Sequence, residues 1–313
     1  MEQVPFDSTT STLVLVNPAA NRGRAQRVGE VITNVLLDRG VPAKKVLPSS
    51  ISATRELVKE AINRGVRVVA VGGDGLVHHV VQEIAQTSGT LGIVPAGTGN
   101  DFAAALGLPT SVQEMATAVT DAATAVDVLK MTDGEGSVRY GTTIATAGFS
   151  AAVNVRAERL RWPQGPSKYT VATLMEITRL PRYRVEITID GAERSCTCLL
   201  VAVANTAFFG GGMKIAPEAS PTSGSVEVVL IHDTSALHLL RVLPKTFSGA
   251  HVTDQAVEII RGKKIEMQMI PVNGHESCDF RSDGEAVGSL PQTITVVPGG
   301  LQVAGVTVAD VSN

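Results

Sequence analysis

Two glycine-rich segments carry acidic side chains where predicted buried strands end. The segment 72–75 reads Gly-Gly-Asp-Gly and follows the apolar run 66–71, and the segment 95–102 reads Pro-Ala-Gly-Thr-Gly-Asn-Asp-Phe and follows the run 91–94. Loops that leave the carboxyl ends of neighbouring parallel strands meet in the ligand crevice of an α/β sheet. Glycine-rich turns there expose backbone N–H groups to anionic phosphates, and a nearby carboxylate can attract a divalent cation. The two segments therefore predict a site for phosphates and a metal ion.

Purely structural roles are the alternative for the acidic residues of these segments and of a third one. Asp74 and Asp101 could be N-caps of the helices that follow them, a role that is compatible with metal binding. A third segment, Ser282-Asp283-Gly284-Glu285, could be a hairpin turn that exposes its glutamate. Taken alone, the residue types of this third segment favour the turn.

The elements that must position the two loops alternate between strand and helix over residues 1–125. Apolar residues recur at helical spacing in the predicted helix 24–38, which marks one buried face. This alternation is typical of βαβ units, so we predict an N-terminal α/β domain with a parallel sheet. The predicted strands are 12–17, 44–47, 66–71 and 91–94, and a second predicted helix is 54–63.

Short β-rich runs separated by turn residues dominate residues 126–299. Such runs predict an antiparallel C-terminal domain, a β-sandwich. Residues 300–313 are apolar enough for one more strand, and a return of this segment to the first domain stays open.

Charge and apolar content limit the kinds of partner and cellular location that the sequence predicts. The net charge of −3 gives no electrostatic case for nucleic acid as a partner. No apolar stretch reaches the roughly 20 residues of a membrane-spanning helix, and the N-terminus lacks the pattern of a signal peptide. We expect a cytoplasmic protein.

The three cysteines are too few for a disulfide framework and fit a reducing compartment. Cys196 and Cys198 share one side of a predicted strand and could be half of a metal site. They lack the usual two-residue gap and a second pair, so the sequence favours buried core over metal binding.

The two loops, in this order and spacing, resemble those of the bacterial diacylglycerol kinase and sphingosine kinase-like lipid kinases. Asn17-Pro18 with Gly23, the segment 282–285 and, for actinobacterial members, the segment 159–165 extend the resemblance over most of the chain. The segment 72–75 alone is shared with NAD kinases, whereas 95–102 is specific to the lipid-kinase branch. The resemblance implies an NAD kinase/diacylglycerol kinase-like N-terminal domain.

The resemblance also implies an enzyme that uses ATP and Mg²⁺ to phosphorylate a membrane lipid alcohol. It assigns Asp74 and Asp101 to Mg²⁺ through water, and Glu285 as the general base. This division of labour suits phosphoryl transfer, which needs positioning and charge neutralisation more than covalent chemistry. The residues it assigns to the nucleotide are Asn17, Gly72, Gly73, Asp74, Gly75, Gly97, Thr98 and Asn100.

One departure concerns a structural magnesium site. The family has Asp-Gly where this chain has Ser223-Gly224. Ser220 and Ser225 would still offer backbone carbonyls, but a hydroxyl is a poorer Mg²⁺ ligand than a carboxylate. We expect this site to be weak or empty.

The stretch 156–184 is a candidate for contact with a membrane surface. It holds seven basic residues against two acidic ones, together with the only tryptophan. Basic residues attract anionic lipid and aromatic residues favour the headgroup level. An ordinary solvated basic face over core aromatics is an equal alternative. The basic residues are Arg156, Arg159, Arg161, Lys168, Arg179, Arg182 and Arg184.

The leading hypothesis is a kinase that forms phosphatidic acid from diacylglycerol, peripheral at the inner face of the plasma membrane. A sphingoid base or a glycolipid is the alternative acceptor. Because Ser223 replaces the family's aspartate, a catalytically weak nucleotide- or lipid-binding relative also stays open. The sequence does not decide the oligomeric state, and a homodimer remains an option.

Overall fold

The computed structural model describes residues 9–18, 20–160, 162, 167–210, 212–272 and 279–307. The chain divides into two compact units, one of Met1–Val128 with Pro298–Asn313 and the other of Leu129–Val297. Among the described residues, no helix combines the length and the apolar character that crossing a bilayer requires.

The first unit alternates strands and helices. Among the described residues, its helices are α1 (Arg24–Asp38), α2 (Ile51–Asn63), α3 (Asp74–Ile84), α4 (Asp101–Ala105) and α5 (Val112–Ala118), and a 3₁₀ turn covers Ala20–Gly23. Its strands are β1 (Thr12–Val16), β2 (Ala43–Val46), β3 (Arg67–Gly72) and β4 (Thr90–Pro95), joined by parts of β5 (Ala123–Asp133) and β17 (Gln292–Ala304).

The sheet of this unit is parallel, in the order β2–β1–β3–β4–β17. β1 and nearly all of β3 are buried, because helices cover both faces of such a sheet and apolar runs are then favoured throughout the strand. Helices α1 and α5 pack on one face, where Ile32, Leu36 and Met115 meet the valines of β1 and β3. The predicted α/β domain with a parallel sheet is confirmed.

The second unit is mainly strands. They are β6 (Val138–Gly141), β7 (Ile144–Gly148), β8 (Arg182–Ile189), β9 (Ala192–Ala204), β10 (Phe208–Phe209), β11 (Met213–Lys214), β12 (Val226–His232), β13 (Val257–Gly262), β14 (Lys264–Val272), β15 (Phe280–Ser282) and β16 (Glu285–Gly288). Its helices are α6 (Phe149–Arg159), α7 (Ser167–Ile177) and α8 (Ala236–Val242), with 3₁₀ turns at Leu243–Phe247 and Ala250–Thr253.

Strand β9 organises this unit. Its first half pairs with β8, and its second half pairs with β7 on one edge and β12 on the other, all antiparallel. Side chains on opposite faces of β9 enter different apolar clusters: Val201 and Val203 join one, and Ala202 and Ala204 the other. The predicted antiparallel β-sandwich is confirmed.

Candidate functional site

The residues that follow three parallel strands lie at one edge of the first unit's sheet. The backbone N–H of Asn17 donates to the carbonyl of Val71 at 3.1 Å, and that of Ala96 donates to the carbonyl of Gly72 at 2.8 Å. The loops after β1, β3 and β4 therefore begin side by side, as the carboxyl ends of neighbouring parallel strands must.

The two glycine-rich loops approach each other so closely that a side chain would not fit between them. A Cβ placed on Gly97 would lie 2.4 Å from the Cα of Gly73, and one placed on Gly73 would lie 3.1 Å from the Cα of Gly97. Glycine is required here for contact between two backbones.

The carboxylate of Asp74 joins the loops through hydrogen bonds. Its Oδ2 accepts from the backbone N–H of Asn100 at 2.7 Å, and its Oδ1 accepts from that of Phe102 at 3.3 Å. Asp74 is the first residue of α3, so this side chain caps α4 from the neighbouring loop. A carboxylate offers about four lone-pair sites, and these two bonds use two of them.

Asn100 closes the second loop on itself. Its backbone is left-handed, with φ 62°, a conformation that asparagine tolerates better than most residues. Its Oδ1 accepts from the N–H of Gly97 at 3.0 Å and its Nδ2 donates to the carbonyl of Gly97 at 3.2 Å. Thr98 and Gly99 are consequently exposed at the tip of the loop.

The donor set fits a phosphate chain with a hydrated divalent cation. Helix α3 begins with Gly73 as its N-cap, and amides in the first turn of a helix lack intrahelical partners and favour anions. Asp101 is the first residue of α4 and lies between Asn100 and Phe102, whose N–H groups donate to Asp74. Each of the two joined loops therefore carries one carboxylate. Mg²⁺ commonly keeps several waters and needs few carboxylates.

In the second unit, the segment 282–285 forms a β-hairpin turn between β15 and β16. Asp283 and Gly284 both have positive φ, 55° and 85°, as a tight hairpin turn demands. The carboxylate of Asp283 accepts from the N–H groups of Thr142 and Thr143, the latter at 2.8 Å, and from the Thr143 hydroxyl at 2.6 Å. Nothing in the sequence pointed to this anchor.

Glu285 follows the anchored turn as the first residue of β16. It pairs across the hairpin with Ser282 and is half-buried. The turn alternative and a chemical role for Glu285 are therefore compatible, and the role as general base stays a prediction.

Ser220, Ser223 and Ser225 lie in one loop before β12. The Ser223 hydroxyl is 3.0 Å from the carbonyl oxygen of Ser220 and 2.9 Å from that of Ser225. Glu227, the next acidic residue along the chain, is buried and forms an ion pair with Arg261 at 3.0 Å. The two carbonyls thus face a hydroxyl, and the donor set does not fit a tight Mg²⁺ site because it lacks a carboxylate.

Part of the basic stretch 156–184 is neutralised within the second unit. Arg156 forms an ion pair with the buried Glu176, Arg182 contacts Asp233 at 2.6 Å and Arg184 contacts Glu186 at 3.2 Å. Arg161 lies outside the described residues. Exposed apolar side chains occur on the same stretch, namely Trp162, Tyr169, Leu174 and Met175.

Comparison with known families agrees with this two-part organisation. Residues 11–131 match the family described as "Diacylglycerol kinase catalytic domain", and residues 143–305 match the "YegS C-terminal NAD kinase beta sandwich-like domain".

Individual relatives cover most of the chain. A protein of Mycobacterium tuberculosis named "Diacylglycerol kinase" is 35% identical over 92% of this chain and 93% of its own length. One of the same name from Bacillus subtilis is 28% identical over 76% of this chain and 77% of its own length. A crystal structure of a diacylglycerol kinase from Bacillus anthracis superimposes with a TM-score of 0.72 and 20% identity, over 96% of this chain and 98% of that one, which shows a shared fold.

The contact between Gly73 and Gly97 generates a prediction. We expect Gly97→Ala to lower the free energy of unfolding by about 1–3 kcal/mol, because its Cβ would overlap backbone that cannot move aside. Denaturant unfolding measures this change, and ATP binding should weaken in the same variant as the loops separate. Gly134→Ala is the control, since a Cβ there meets only Pro291 at an ordinary 3.4 Å. Equal stability of the two variants would contradict the prediction.

Proposed function

The chain belongs to the diacylglycerol kinase-like family of lipid kinases, and we propose that it transfers the γ-phosphate of ATP to the hydroxyl of diacylglycerol, forming phosphatidic acid. The observation that carries this proposal is the pair of glycine-rich loops that the Asp74 carboxylate holds together. Backbone amides at this sheet edge suit a triphosphate better than an uncharged ligand, and the carboxylates suit the divalent cation that accompanies it.

The proposed roles in the first unit follow the two loops. The amides of the loops and the N-terminus of α3 hold the phosphates, while Asp74 and Asp101 attract Mg²⁺ through bound water. When bound, Mg²⁺ neutralises charge on the phosphate oxygens. The residues proposed to contact the nucleotide are Asn17, Gly72, Gly73, Asp74, Gly75, Gly97, Thr98 and Asn100.

Glu285 is the proposed general base. The lipid hydroxyl oxygen forms a bond to the γ-phosphorus, the bond from that phosphorus to the bridging oxygen breaks, and ADP departs. The hydroxyl proton passes to the Glu285 carboxylate. Asp283 fixes the hairpin from which this side chain projects, so its bonds to Thr142 and Thr143 act as positioning contacts.

The chemical step is tested by the transfer of labelled γ-phosphate to a panel of lipids. We expect diacylglycerol to be labelled and Glu285→Gln to lower kcat by about 10²–10⁴-fold, the usual contribution of a positioned base. Nucleotide affinity should be unchanged in this variant. Glu135→Gln, an exposed glutamate in another turn of the same unit, is the matched control.

Each other outcome of this assay has a distinct meaning. Labelling of a sphingoid base or a glycolipid in place of diacylglycerol would contradict the proposed acceptor and retain the kinase. No labelled lipid with intact ATP binding would identify a weak or inactive relative. Full activity of Glu285→Gln would remove Glu285 from the mechanism.

We propose further that the Ser220–Ser225 loop holds no tight Mg²⁺. A hydroxyl donates one hydrogen, and Ser223 lies within hydrogen-bond distance of the two carbonyls that would otherwise turn to a cation. The hydroxyl thereby ties the loop together without a metal.

Metal titration of the wild type and of Ser223→Asp tests this proposal. We expect Ser223→Asp to gain a Mg²⁺ site that the wild type lacks, because the new carboxylate meets two carbonyl oxygens. Calorimetric titration with Mg²⁺ measures the difference, and Thr222→Asp, one position away, controls for added charge. Tight binding of a second Mg²⁺ to the wild type, lost on Ser223→Ala, would overturn it.

For the lipid substrate, we propose peripheral docking on anionic membranes through α7 and its flanks. Tyr169, Leu174 and Met175 are exposed on this helix. Arg159 and Arg179 are exposed at the ends of the same region. Apolar insertion and basic attraction together favour a bilayer surface.

Vesicle co-sedimentation measures the docking. We expect joint replacement of Arg159 and Arg179 by Gln to weaken binding to anionic vesicles by about 2 kcal/mol, roughly 30-fold, at about 1 kcal/mol for each charge. Joint replacement of Lys44 and Lys263 by Gln is the control, because these exposed residues lie elsewhere and the same number of positive charges is lost. Equal binding by both double variants would contradict a specific docking surface.

A further inference from the structure

We propose that Cys196, Cys198 and His232 form a binding site for Zn²⁺ in the second unit. Their ligand atoms all lie within 4.8 Å of one another. The two sulfur atoms are 3.3 Å apart, and the Cys198 Sγ is 3.7 Å from Nδ1 of His232. In a tetrahedral zinc site with ordinary bond lengths, S···S is about 3.8 Å and S···N about 3.5 Å. The three side chains are therefore close to ligating positions.

A β-bulge in β9 turns the cysteines to the face of His232. Ile231 pairs with Leu200, but His232 pairs with Cys198, so Leu199 is the extra residue on β9. Residues opposite one another in an antiparallel pair share a face of the sheet. Because the extra residue lies on β9, the bulge turns Cys198 to the face of His232, and Cys196 shares that face because it is two residues away.

Two further residues orient the imidazole. Nε2 of His232 is 3.0 Å from Oε2 of Glu258, whose Oε1 accepts from Arg194 at 2.7 Å. A proton donated from Nε2 to Glu258 leaves the lone pair of Nδ1 directed at Cys198. A metal-binding histidine almost always donates its other ring N–H to a carboxylate, a backbone carbonyl or water.

Neither a disulfide nor core packing accounts for this arrangement of the two cysteines and His232. Residues two apart on a strand have Cα atoms about 6.6–6.8 Å apart, the far end of the range for a disulfide, and both cysteines are free thiols. Core packing explains the burial of Cys198, but it does not explain a histidine aimed at its sulfur and held by a carboxylate.

The ion would have a route to the site. Cys196 is half-buried and the His232 side chain is 31% exposed, whereas Cys198 is fully buried. Burial raises the pKa of the Cys198 thiol, with a smaller contribution from Cys196, so Zn²⁺ must displace its proton. Three protein ligands leave one tetrahedral position for water, and the ion would link β9 to β12.

Metal titration of the reduced, metal-free full chain tests the proposal, with Co²⁺ as the spectroscopic probe and Zn²⁺ as its competitor. We expect one ion per chain, with a thiolate-to-cobalt charge-transfer band and the d–d intensity of tetrahedral coordination. Cys196→Ser and His232→Gln should abolish this signal. Cys278→Ser, at a position outside the described residues, is the control and should retain it.

Two further measurements separate ligation from folding. Glu258→Gln should weaken Zn²⁺ affinity by about 10–100-fold without changing the stoichiometry, as expected for a group that orients a ligand. Zn²⁺ should raise the thermal midpoint of the wild type and leave that of folded His232→Gln unchanged. Absence of metal binding by the wild type, or a spectrum that survives His232→Gln, would overturn the proposal. These readouts do not depend on kinase activity.

Discussion

The bond between one aspartate and the amides of the neighbouring loop is the contact on which the phosphate site depends. Two glycines let the loops touch, but contact between Cα atoms has no directional preference, and it is the Asp74 carboxylate that fixes their register. The same charge favours the N-terminus of α4 and, in the proposed reaction, attracts a hydrated cation. These demands are compatible because a carboxylate offers about four acceptor sites. One side chain thereby couples the fold of the loops to their chemistry.

The sequence predicted this part of the molecule closely because its information is local. The apolar runs 66–71 and 91–94 became β3 and β4 with ends shifted by about one residue, and the fold class, the lipid-kinase family and the enzyme class are confirmed. The sequence pattern could not predict contacts between segments that are far apart in the chain. Asp283 accepts hydrogen bonds from Thr142, 141 residues away, and no spacing rule connects a turn aspartate with a pair of threonines that far along the chain. The hairpin could be predicted from its residue types, but its anchor could not.

Ser223 illustrates how a small change of side chain alters what a loop can hold. A carboxylate among backbone carbonyls needs a cation, since like partial charges otherwise face one another. A hydroxyl at the same place supplies a hydrogen, which turns this repulsion into a hydrogen bond with one carbonyl at a time. The loop can then close without a metal ion.

The cysteine pair shows why the spacing of residues in a sequence can fail to predict a metal site. Two cysteines separated by one residue are a weak metal signal, because the usual motifs supply their ligands from turns. On a strand the same spacing places both sulfurs on one face, and the remaining ligand must come from a neighbouring strand. Which residue that is depends on the register, and a one-residue shift turns the cysteines from one face of the sheet to the other. The bulge beside Leu199 makes this shift. A bulge disrupts the ladder locally, so its coincidence with a cluster of three potential metal ligands favours a functional reason for both.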